Sequence, residues 1–431
     1  MRAHKIIKNN LKLTCFIRYL LYICIMLKSF KYKLNPNDSQ KVFLNKHFGC
    51  TRFIFNYYLN QRITEYQTNN KSLSYNDNAL DLTSLKGVED FNWLREVNSQ
   101  SLQDSLKNLD TSFKNFFKYK SGFPKFKSKH RKNSFCVPQN VSISNEGLII
   151  PKLKQPIKMV VDRKFKGKIR QCTISKTPTN EYFVSILVET NHIKFDKTNK
   201  HIGLDLGLKD FVITSDGDKF ANNKYTKKYA KKLKAAQQHL SRKVKKSNRY
   251  IKQRTKVARI HKKIANSRMD NLHKVSTKLF KDYDLIIIED LNVKGMVKNK
   301  KLSKHISDVA WGKFVTILTY KSEWNDKVLV KIDRFYPSSK TCNCCGYINQ
   351  NLTLSDRSWT CPACNTELDR DINASKNILS EGYKIINNIS SGTDDYRRGD
   401  EIRPTEVGAI CEASKILDLK VKKPKRSLAL G

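Results

Sequence analysis

Two sets of side chains in this 431-residue sequence have types and spacings suited to metal binding. The first is two C-x-x-C pairs with 15 residues between them, formed by Cys342, Cys345, Cys361 and Cys364. Four thiolates complete the tetrahedral shell of Zn²⁺ and leave no position open for a substrate, so the spacing predicts a structural zinc site. Cys344 lies inside the first pair, and we interpret it as a spare thiol because Cys345 leads into Gly346, a typical turn residue.

The second set consists of three acids: Asp205, Glu289 and Asp371. Asp205 lies in the apolar segment 202–206, and Glu289 directly follows the wholly apolar run 285–288, which is typical of a buried parallel strand. If these strands are neighbours, both acids project from one edge of a sheet, and Asp371 at the start of a helix completes the group. Two-metal hydrolysis of nucleic acids needs such convergence, and oxygen ligands select Mg²⁺ or Mn²⁺. Taken singly, each acid has a plainer interpretation as a strand end or helix cap.

The balance of charge indicates a polyanionic partner. Lys and Arg number 83 against 39 Asp and Glu, which gives a formal net charge of +44, more than solubility requires. Membranes and nucleic acids are both polyanions, but these cations are spread along most of the chain and interleaved with aromatic residues. That distribution favours nucleic acid, and we expect no membrane partner.

The cysteines and the N-terminal segment indicate where in the cell the protein is expected. Only four of the 11 cysteines have paired metal spacing, so we expect a reducing, cytoplasmic environment in which the protein associates with the nucleoid. The apolar run 16–26 is interrupted by Arg18, is too short to span a bilayer and is not followed by a small-residue cleavage site. A signal anchor is one interpretation of it. The plainer one is that Met26 is the natural start and the first 25 residues are untranslated upstream sequence.

Apolar periodicity divides the first half of the chain into two regions. Apolar residues at helical spacing predict a small helical domain over residues 36 to about 120. Short β-rich runs separated by Pro, Gly and Asn over residues 134–192 predict a β-barrel or sandwich. The alternating segment 30–34 is a candidate further strand of that domain.

Between these regions, residues 113–132 alternate aromatic and basic side chains; we call them the aromatic-basic segment. Aromatic faces can stack on bases while cations meet phosphates, so we expect this segment to bind nucleic acid. The alternative is a helix end whose aromatic rings face the core and whose lysines are solvated.

The second half alternates strands with a strongly basic helical region. Segments 202–206 and 211–214, with a turn at 215–218, predict two antiparallel strands. Residues 221–280 contain 20 Lys and Arg against one acid, Asp270, and their apolar residues recur at helical spacing, which predicts a basic helical hairpin with one apolar stripe. Further predictions are a helix over 309–325, a strand over 328–332, a helix over 371–379 and a disordered polar tail from residue 381.

The acidic motifs and the flanks of the cysteine pairs closely resemble those of the TnpB family of transposon-encoded RNA-guided nucleases, which are related to type V CRISPR effectors. The segments that resemble its three RuvC motifs are GLDLG at 203–207, IEDLNV at 288–293 and DRDINA at 369–374. The segments that resemble its zinc-ribbon flanks are YPSSKTC at 336–342 and RSWTCP at 357–362. The resemblance extends over residues 27 to about 415, with weaker matches at 48–53 and 124–127. Cys344, Ser375 and the N-terminal extension depart from the family pattern.

The resemblance implies a multidomain α+β protein. Its N-terminal lobe is expected to be a β-barrel wedge domain with a helical insert, and its C-terminal lobe an RNase H-like (RuvC) α/β nuclease domain with an inserted zinc ribbon. The expected domains are an N-terminal extension at 1–26, the wedge domain at 27–35 and 128–195, the helical recognition domain at 36–127, the RuvC-like domain at 196–340 and 366–390, the zinc ribbon at 341–365, and a mostly disordered tail at 391–431.

The resemblance also implies partners and roles. A guide RNA from the transposon end, double-stranded target DNA with a short adjacent motif, and a monomer in the RNA complex are expected. The second aspartate of the DRD motif is the catalytic one in this family, which selects Asp371 and leaves Asp369 a supporting role. The residues we expect to contact nucleic acid are Arg52, Lys118, Lys120, Lys125, Lys127 and Lys129.

Two other functions remain as alternatives. A strand-joining RNase H-like transposase usually presents its acids in the order Asp, Asp, Glu, whereas here the order is Asp, Glu, Asp. A non-cleaving RNA-guided DNA-binding repressor would be expected to lack at least one of the three acids, but all three are present.

Overall fold

The computed structural model describes residues 26–119, 121–191, 194–353 and 355–390, and the chain divides into two compact units, residues 1–192 and 193–431. The predictions for the extension up to residue 25, for Lys120 and for the tail 391–431 lie outside the described residues. None of the helices within the described ranges has the length and apolar character needed to cross a bilayer.

The first unit combines an antiparallel sheet with a group of helices. Its helices are α1 (Asp38–Asn69), α2 (Tyr75–Leu85), a 3-10 helix (Glu89–Glu96) and α3 (Ser99–Tyr119). Its strands are β1 (Met26–Leu34), β2 (Asn133–Val137), β3 (Ser142–Ser144), β4 (Gly147–Ile149), β5 (Met159–Val160), β6 (Lys168–Lys176) and β7 (Tyr182–Thr190). Five of these strands form one sheet in the order β2-β6-β7-β1-β5, and β3 pairs with β4.

Strand β1 belongs to this sheet although the helical region separates it in sequence from the other strands. It pairs antiparallel with β7 along its whole length, from Met26 opposite Thr190 to Leu34 opposite Tyr182. Tyr32 and Leu34 are buried in the core of the sheet. The predicted strand at 30–34 is therefore the end of a longer strand that begins at Met26.

Local caps and one buried histidine position α1. The Asn37 side chain accepts from the Gln40 amide and the Gln40 side chain accepts from the Asn37 amide, a capping box that begins the helix. Within α1, His47 is 1 % exposed and its Nε2 accepts the Asn98 N–H at 3.0 Å. Because a backbone N–H can only donate, Nδ1 holds the imidazole proton and donates to the Phe43 carbonyl at 3.0 Å. Burial lowers the pKa of His47 to about 4.

The second unit is built on a mixed sheet flanked by helices. Its strands are β8 (His201–Asp205), β9 (Asp210–Thr214), β10 (Lys219–Ala221), β11 (Leu285–Glu289), β12 (Val328–Ile332), β13 (Ser358–Thr360) and β14 (Glu367–Asp369). Its helices are α4 (Tyr225–Lys228), α5 (Ala230–Ser241), α6 (Asn248–Asp282), α7 (Val293–Met296), α8 (Ser303–Val309), α9 (Trp311–Asn325) and α10 (Arg370–Ser390). The sheet order is β10-β9-β8-β11-β12: β8, β9 and β10 are antiparallel, whereas β11 is parallel to both β8 and β12.

Helix α10 is longer than its sequence pattern predicted. The prediction that the helix covers 371–379 and that a disordered tail begins at 381 is wrong for residues 381–390, which continue the helix. Ile378 and Ile386 are buried against the sheet, and Tyr383 packs beside them. Burial of these apolar side chains stabilises the extra turns of the helix. Polar residues lie between them in the sequence, which made the helical spacing of the apolar residues hard to recognise.

Candidate functional site

The first two candidate acids lie side by side at the end of neighbouring parallel strands. In the ladder between β8 and β11, Leu204 is opposite Ile288, and the next residues are Asp205 and Glu289. Both acids are the last residues of their strands. Since Ile286, Ile287 and Ile288 are fully buried, the sheet that holds these two acids is rigidly packed.

The third acid is close enough to affect the first electrostatically. Burial, followed by the charges of Glu289 and then Asp371, raises the pKa of Asp205 to about 7. Burial also raises the pKa of Glu289, and the Ser338 hydroxyl, which donates to Glu289 Oε1 at 2.5 Å, acts in the opposite direction. An acid whose ionisation is disfavoured by two neighbouring acids marks a site that a divalent cation would stabilise.

Asp369 and Asp371 have different surroundings although they are two residues apart. Asp369 directly precedes α10, and its Oδ1 accepts the N–H groups of Asp371 and Ile372 at 3.0 and 3.1 Å, so it caps the helix. Its other oxygen pairs with Lys219 at 2.8 Å. Through these contacts, Asp369 positions the first turn of α10, which contains Asp371.

Two arginines hold the Asp371 carboxylate. Arg370 donates from Nε and Nη2 to Asp371 Oδ1 at 3.2 and 3.1 Å, and Arg357 Nη1 lies 3.7 Å from Oδ2. Within the described ranges, the only group of three or more His, Cys, Asp or Glu side chains whose ligand atoms lie within 4.8 Å of one another is the four cysteines. The three acids thus form an electrostatic group that is looser than the cysteine cluster.

The four predicted zinc cysteines converge. The Sγ atoms of Cys342 and Cys364 are 3.7 Å apart, and those of Cys345 and Cys361 are 3.6 Å apart. Four sulfurs bound to one Zn²⁺ at about 2.3 Å would be about 3.8 Å from each other, so these separations fit a tetrahedral metal site. Cys344 is exposed and lies outside the cluster.

The two cysteine pairs lie in turns of the same geometry. The Gly346 N–H donates to the Cys342 carbonyl at 2.9 Å, and the Asn365 N–H donates to the Cys361 carbonyl at 2.8 Å. Gly346 and Asn365 both adopt positive φ, +80° and +54°, which Gly and Asn tolerate better than other residues. Asn365 thus has the conformational role in the second turn that Gly346 has in the first.

Three family profiles match the chain. The family described as "Probable transposase" matches residues 185–300, and the family described as "Cas12f1-like, TNB domain" matches residues 311–378. A profile described as "Helix-turn-helix domain" matches residues 26–71, where the structure has strand β1 followed by the single 32-residue helix α1.

Two known relatives match over nearly their whole length. A protein of Streptomyces pristinaespiralis described as "Putative RNA-guided DNA endonuclease" is 36 % identical over 359 residues, which cover 82 % of this chain and 89 % of that protein. The Escherichia coli (strain K12) "Putative RNA-guided DNA endonuclease InsQ" is 32 % identical over 378 residues, 84 % of this chain and 93 % of that protein. This chain belongs to the TnpB family. A "TnpB-like protein L79" of Acanthamoeba polyphaga mimivirus matches at 28 % identity over 226 residues, which cover 48 % of this chain and 42 % of that protein.

Solved structures similar to this TnpB-family chain are distant. The "Structure of the mini-RNA-guided endonuclease CRISPR-Cas_phi3" matches with a TM-score of 0.42 and 10 % identity, over 84 % of this chain and 93 % of that one. The "Cryo-EM structure of the Cas12f1-sgRNA-target DNA complex" matches with a TM-score of 0.33 and 12 % identity, over 82 % and 99 % of the two chains. At these TM-scores and identities, the matches do not establish a shared fold.

The residues predicted to contact nucleic acid lie on α1, at the end of α3 and on the segment that follows it. Arg52 on α1 donates from Nη1 to Asn133 Oδ1 at 3.2 Å. Lys118 lies in the last turn of α3 with its Nζ 5.5 Å from the centroid of the Tyr119 ring, and Lys125 and Lys129 are exposed. Lys127 is exposed as well, but its ammonium is partly desolvated.

The Lys127 ammonium lies over an aromatic ring. Its Nζ is 3.7 Å from the centroid of the Phe55 ring, and burial lowers its pKa to about 8. Its backbone is fixed by Asn56, which both accepts its N–H at 2.7 Å and donates to its carbonyl at 2.9 Å. The segment around Lys127 is therefore anchored to α1.

The aromatic-basic segment displays its rings to solvent. The side chains that are 45–74 % exposed are Phe117, Tyr119, Phe123 and Phe126. The alternative that these rings face the core is wrong for the four of them. An exposed group of aromatic rings among lysines is suited to stacking on bases.

Several residues of the site were not anticipated from the sequence. Asn373 and Asn377 on α10 are 2 % and 4 % exposed, and both donate to the backbone that precedes Cys342. Ser338 donates to Glu289. One feature of the sequence could have indicated the two asparagines. They are four residues apart on the helix that begins beside Asp371, and this spacing places them on one helical face.

Proposed function

We propose that this protein is a transposon-encoded RNA-guided DNA endonuclease that cuts target DNA at a single RuvC site formed by Asp205, Glu289 and Asp371. The observation on which the proposal rests is that Asp205 and Glu289 end neighbouring parallel strands, and that Asp371, far from both in sequence, lies close enough to raise the pKa of Asp205 together with Glu289. The names of relatives that match over most of their length support the same activity.

The domain assignment is part of the proposal. Residues 196–340 and 366–390 form the RNase H-like (RuvC) domain, with the zinc ribbon at 341–365 inserted in it. Residues 27–35 and 128–195 form a β-barrel wedge domain with the helical recognition domain 36–127 inserted. The division of the chain into units at residues 192 and 193 agrees within a few residues with the boundary between the two lobes.

The three acids would hold Mg²⁺ or Mn²⁺, because they offer only oxygen ligands. Two such ions, when bound, supply an activated water and stabilise the leaving oxygen of the phosphodiester. The protein's own task is to keep the acids charged and oriented. With a pKa of about 7, the Asp205 carboxyl is only partly ionised near neutral pH, and a bound cation favours its charged form.

The residues around the acids divide this task. Arg370 and Arg357 hold Asp371, and the Ser338 hydroxyl holds one oxygen of Glu289. Asp369 caps the helix that begins beside Asp371. The four cysteines would bind a structural zinc, whose role is to stabilise the ribbon between β12 and α10.

Two surfaces would bind the nucleic acids. The basic hairpin, α5 and α6 at residues 230–282, is proposed to hold the duplex formed by guide RNA and target DNA through its phosphates. One groove of this hairpin is lined by Lys232, Lys256, Arg259 and Lys263 beside Tyr229. The aromatic-basic segment is proposed to stack on bases.

The proposal is tested with purified protein and its copurifying RNA. Sequencing that RNA should show one discrete species that ends in variable sequence. Complexes should cut plasmid DNA that carries a match to the variable end, in the presence of Mg²⁺. Asp205→Asn should lower the cleavage rate by about 10³-fold or more while RNA and DNA binding remain unchanged.

The matched control is Asp216→Asn. Asp216 lies in the turn after β9, at the opposite end of the sheet, and accepts a hydrogen bond from the Tyr283 hydroxyl at 2.7 Å, which an amide oxygen can also accept. This variant should cut at nearly the wild-type rate. Normal cutting by Asp205→Asn would remove Asp205 from the site, and strand joining instead of cutting would indicate a transposase. Guided binding without any cutting would indicate a repressor.

A further inference from the structure

The segment that leads from strand β12 to the first cysteine pair contacts Glu289, one of the proposed catalytic acids. We call residues 336–341 the linking segment. Within it, Ser338 is 6 % exposed, and its hydroxyl donates to Glu289 Oε1 at 2.5 Å. The Ser338 N–H donates to the Tyr336 carbonyl at 2.8 Å, so the serine backbone is held as well as its side chain. The Ser338 hydroxyl therefore has a defined position from which to orient Glu289.

Helix α10 holds the linking segment from the other side. Asn377 Nδ2 donates to the carbonyls of Ser338 and Thr341 at 2.8 and 2.5 Å. Asn373 Nδ2 donates to the same Thr341 carbonyl at 2.7 Å, and its Oδ1 accepts the Asn343 N–H at 2.9 Å. Two buried amides thus tie the backbone before and inside the first cysteine pair to the helix that begins beside Asp371.

These contacts form one continuous path. It begins at Cys342, continues through Thr341 and Asn377 to Ser338, and ends at the Glu289 carboxylate. We propose that Ser338 is a positioning residue for Glu289, and that Asn377 couples the order of the cysteine cluster to the orientation of Glu289. This inference rests on the proposed function, because it gives the zinc ribbon a specific part in metal binding at the nuclease site.

The physical reason is that a carboxylate with one oxygen held has fewer orientations in which the other can face a cation. Hydrogen bonds that orient a ligand in this way typically contribute about 10-fold to 100-fold to metal affinity or activity. If the Ser338 hydroxyl served only as a hydrogen-bond donor to a buried acid, its removal would lower the stability of the protein but would leave the affinity for a divalent cation unchanged.

The test measures Mn²⁺ binding directly. Full-length, zinc-loaded protein without RNA is titrated with Mn²⁺ and followed by electron paramagnetic resonance, since RNA itself binds Mn²⁺. Ser338→Ala should weaken Mn²⁺ binding about 10-fold and raise the Mg²⁺ concentration for half-maximal cleavage by a similar factor. Ser338→Thr, which keeps a hydroxyl, should stay within about threefold of wild type on both measurements, and about one zinc per chain should remain.

The matched control is Ser322→Ala on α9. Ser322 is 7 % exposed, so it is about equally buried, and its hydroxyl donates to the Thr319 carbonyl at 2.7 Å and not to a carboxylate. Its Mn²⁺ affinity should equal that of wild type. In a Glu289→Ala background, Ser338→Ala should cause no additional loss of Mn²⁺ binding, because its partner is gone.

A second variant keeps the inference testable if Ser338→Ala does not fold. Asn377→Leu removes the two hydrogen bonds that Asn377 donates to the linking segment and should also weaken Mn²⁺ binding, by several-fold. Wild-type Mn²⁺ affinity in folded Ser338→Ala, or in Asn377→Leu where the first variant fails to fold, would overturn the inference. If Glu289→Ala itself cuts DNA normally, the proposed function fails instead, and the two failures are distinguishable.

Discussion

Replacement of Gly203 by alanine should separate the two elements that position Asp205 and Asp371. Gly203 is in β8, and a Cβ added there would lie 2.1 Å from the Ser375 carbonyl oxygen and 2.8 Å from the Leu379 nitrogen. Both atoms belong to the backbone of α10, so no side-chain rotation can make room. Helix α10 therefore lies directly on β8 at this glycine.

The size of the displacement follows from the contact distances. Non-bonded heavy atoms pack at about 3.5 Å, so α10 or β8 must move by on the order of 1 Å to accept the methyl group. Asp205 is two residues beyond Gly203 on the strand, and Asp371 lies in the first turn of the displaced helix. A misplacement of about 1 Å can lower the rate of an enzyme about 100-fold, and overpacking costs about 1–3 kcal/mol of stability.

The assay compares initial rates of plasmid cleavage by RNA-loaded complexes at saturating Mg²⁺ and DNA. Gly203→Ala should cut about 100-fold more slowly, and its unfolding midpoint should fall by about 5 °C. The control is Gly312→Ala on α9, where an added Cβ meets nothing within 4 Å. It should keep full cleavage and gain about 0.5–1 kcal/mol, because alanine favours the helix. A folded Gly203→Ala protein that cuts within about threefold of wild type would refute the reasoning.

Three further predictions concern other parts of the chain. The pKa of His47 falls from 6.5 in the unfolded chain to about 4, so the unfolded state takes up the proton first as the pH falls. Hydrogen exchange of α1, corrected for intrinsic rates, should therefore show about 2 kcal/mol less protection at pH 5 than at pH 7, and His47→Gln should abolish this difference. Cys361→Ser should lose zinc by elemental analysis and expose residues 341–369 to exchange, whereas Cys344→Ser should keep about one zinc per chain; equal loss in both would contradict the assigned cluster. Lys327 is 1 % exposed, and its Nζ lies 3.0 Å from Asp284 Oδ1. Its replacement by methionine should destabilise the second unit by about 3 kcal/mol in urea unfolding, because a buried acid loses its cationic partner. An additional Asp284→Asn change should recover part of that loss, and a fully additive double variant would argue against the pair.

The sequence by itself determined the features that depend on short segments. The spacing of the cysteines predicted the cluster that the structure contains, because a C-x-x-C turn brings two sulfurs together within four residues. The apolar run 285–288 likewise predicted a buried parallel strand, since a strand covered on both faces needs no polar alternation. The family motifs then indicated which acids to examine.

Contacts between distant segments were decided only by the tertiary structure. The residues Ser338 and Glu289 are 49 positions apart, and no local pattern relates a hydroxyl on a loop to an acid at a strand end. The different tasks of Asp369 and Asp371 depend on where α10 begins and on Lys219, which approaches from another strand. The need for glycine at 203 follows from the helix lying on that strand. Local propensity specifies the elements, whereas the orientation of the acids follows from how those elements pack.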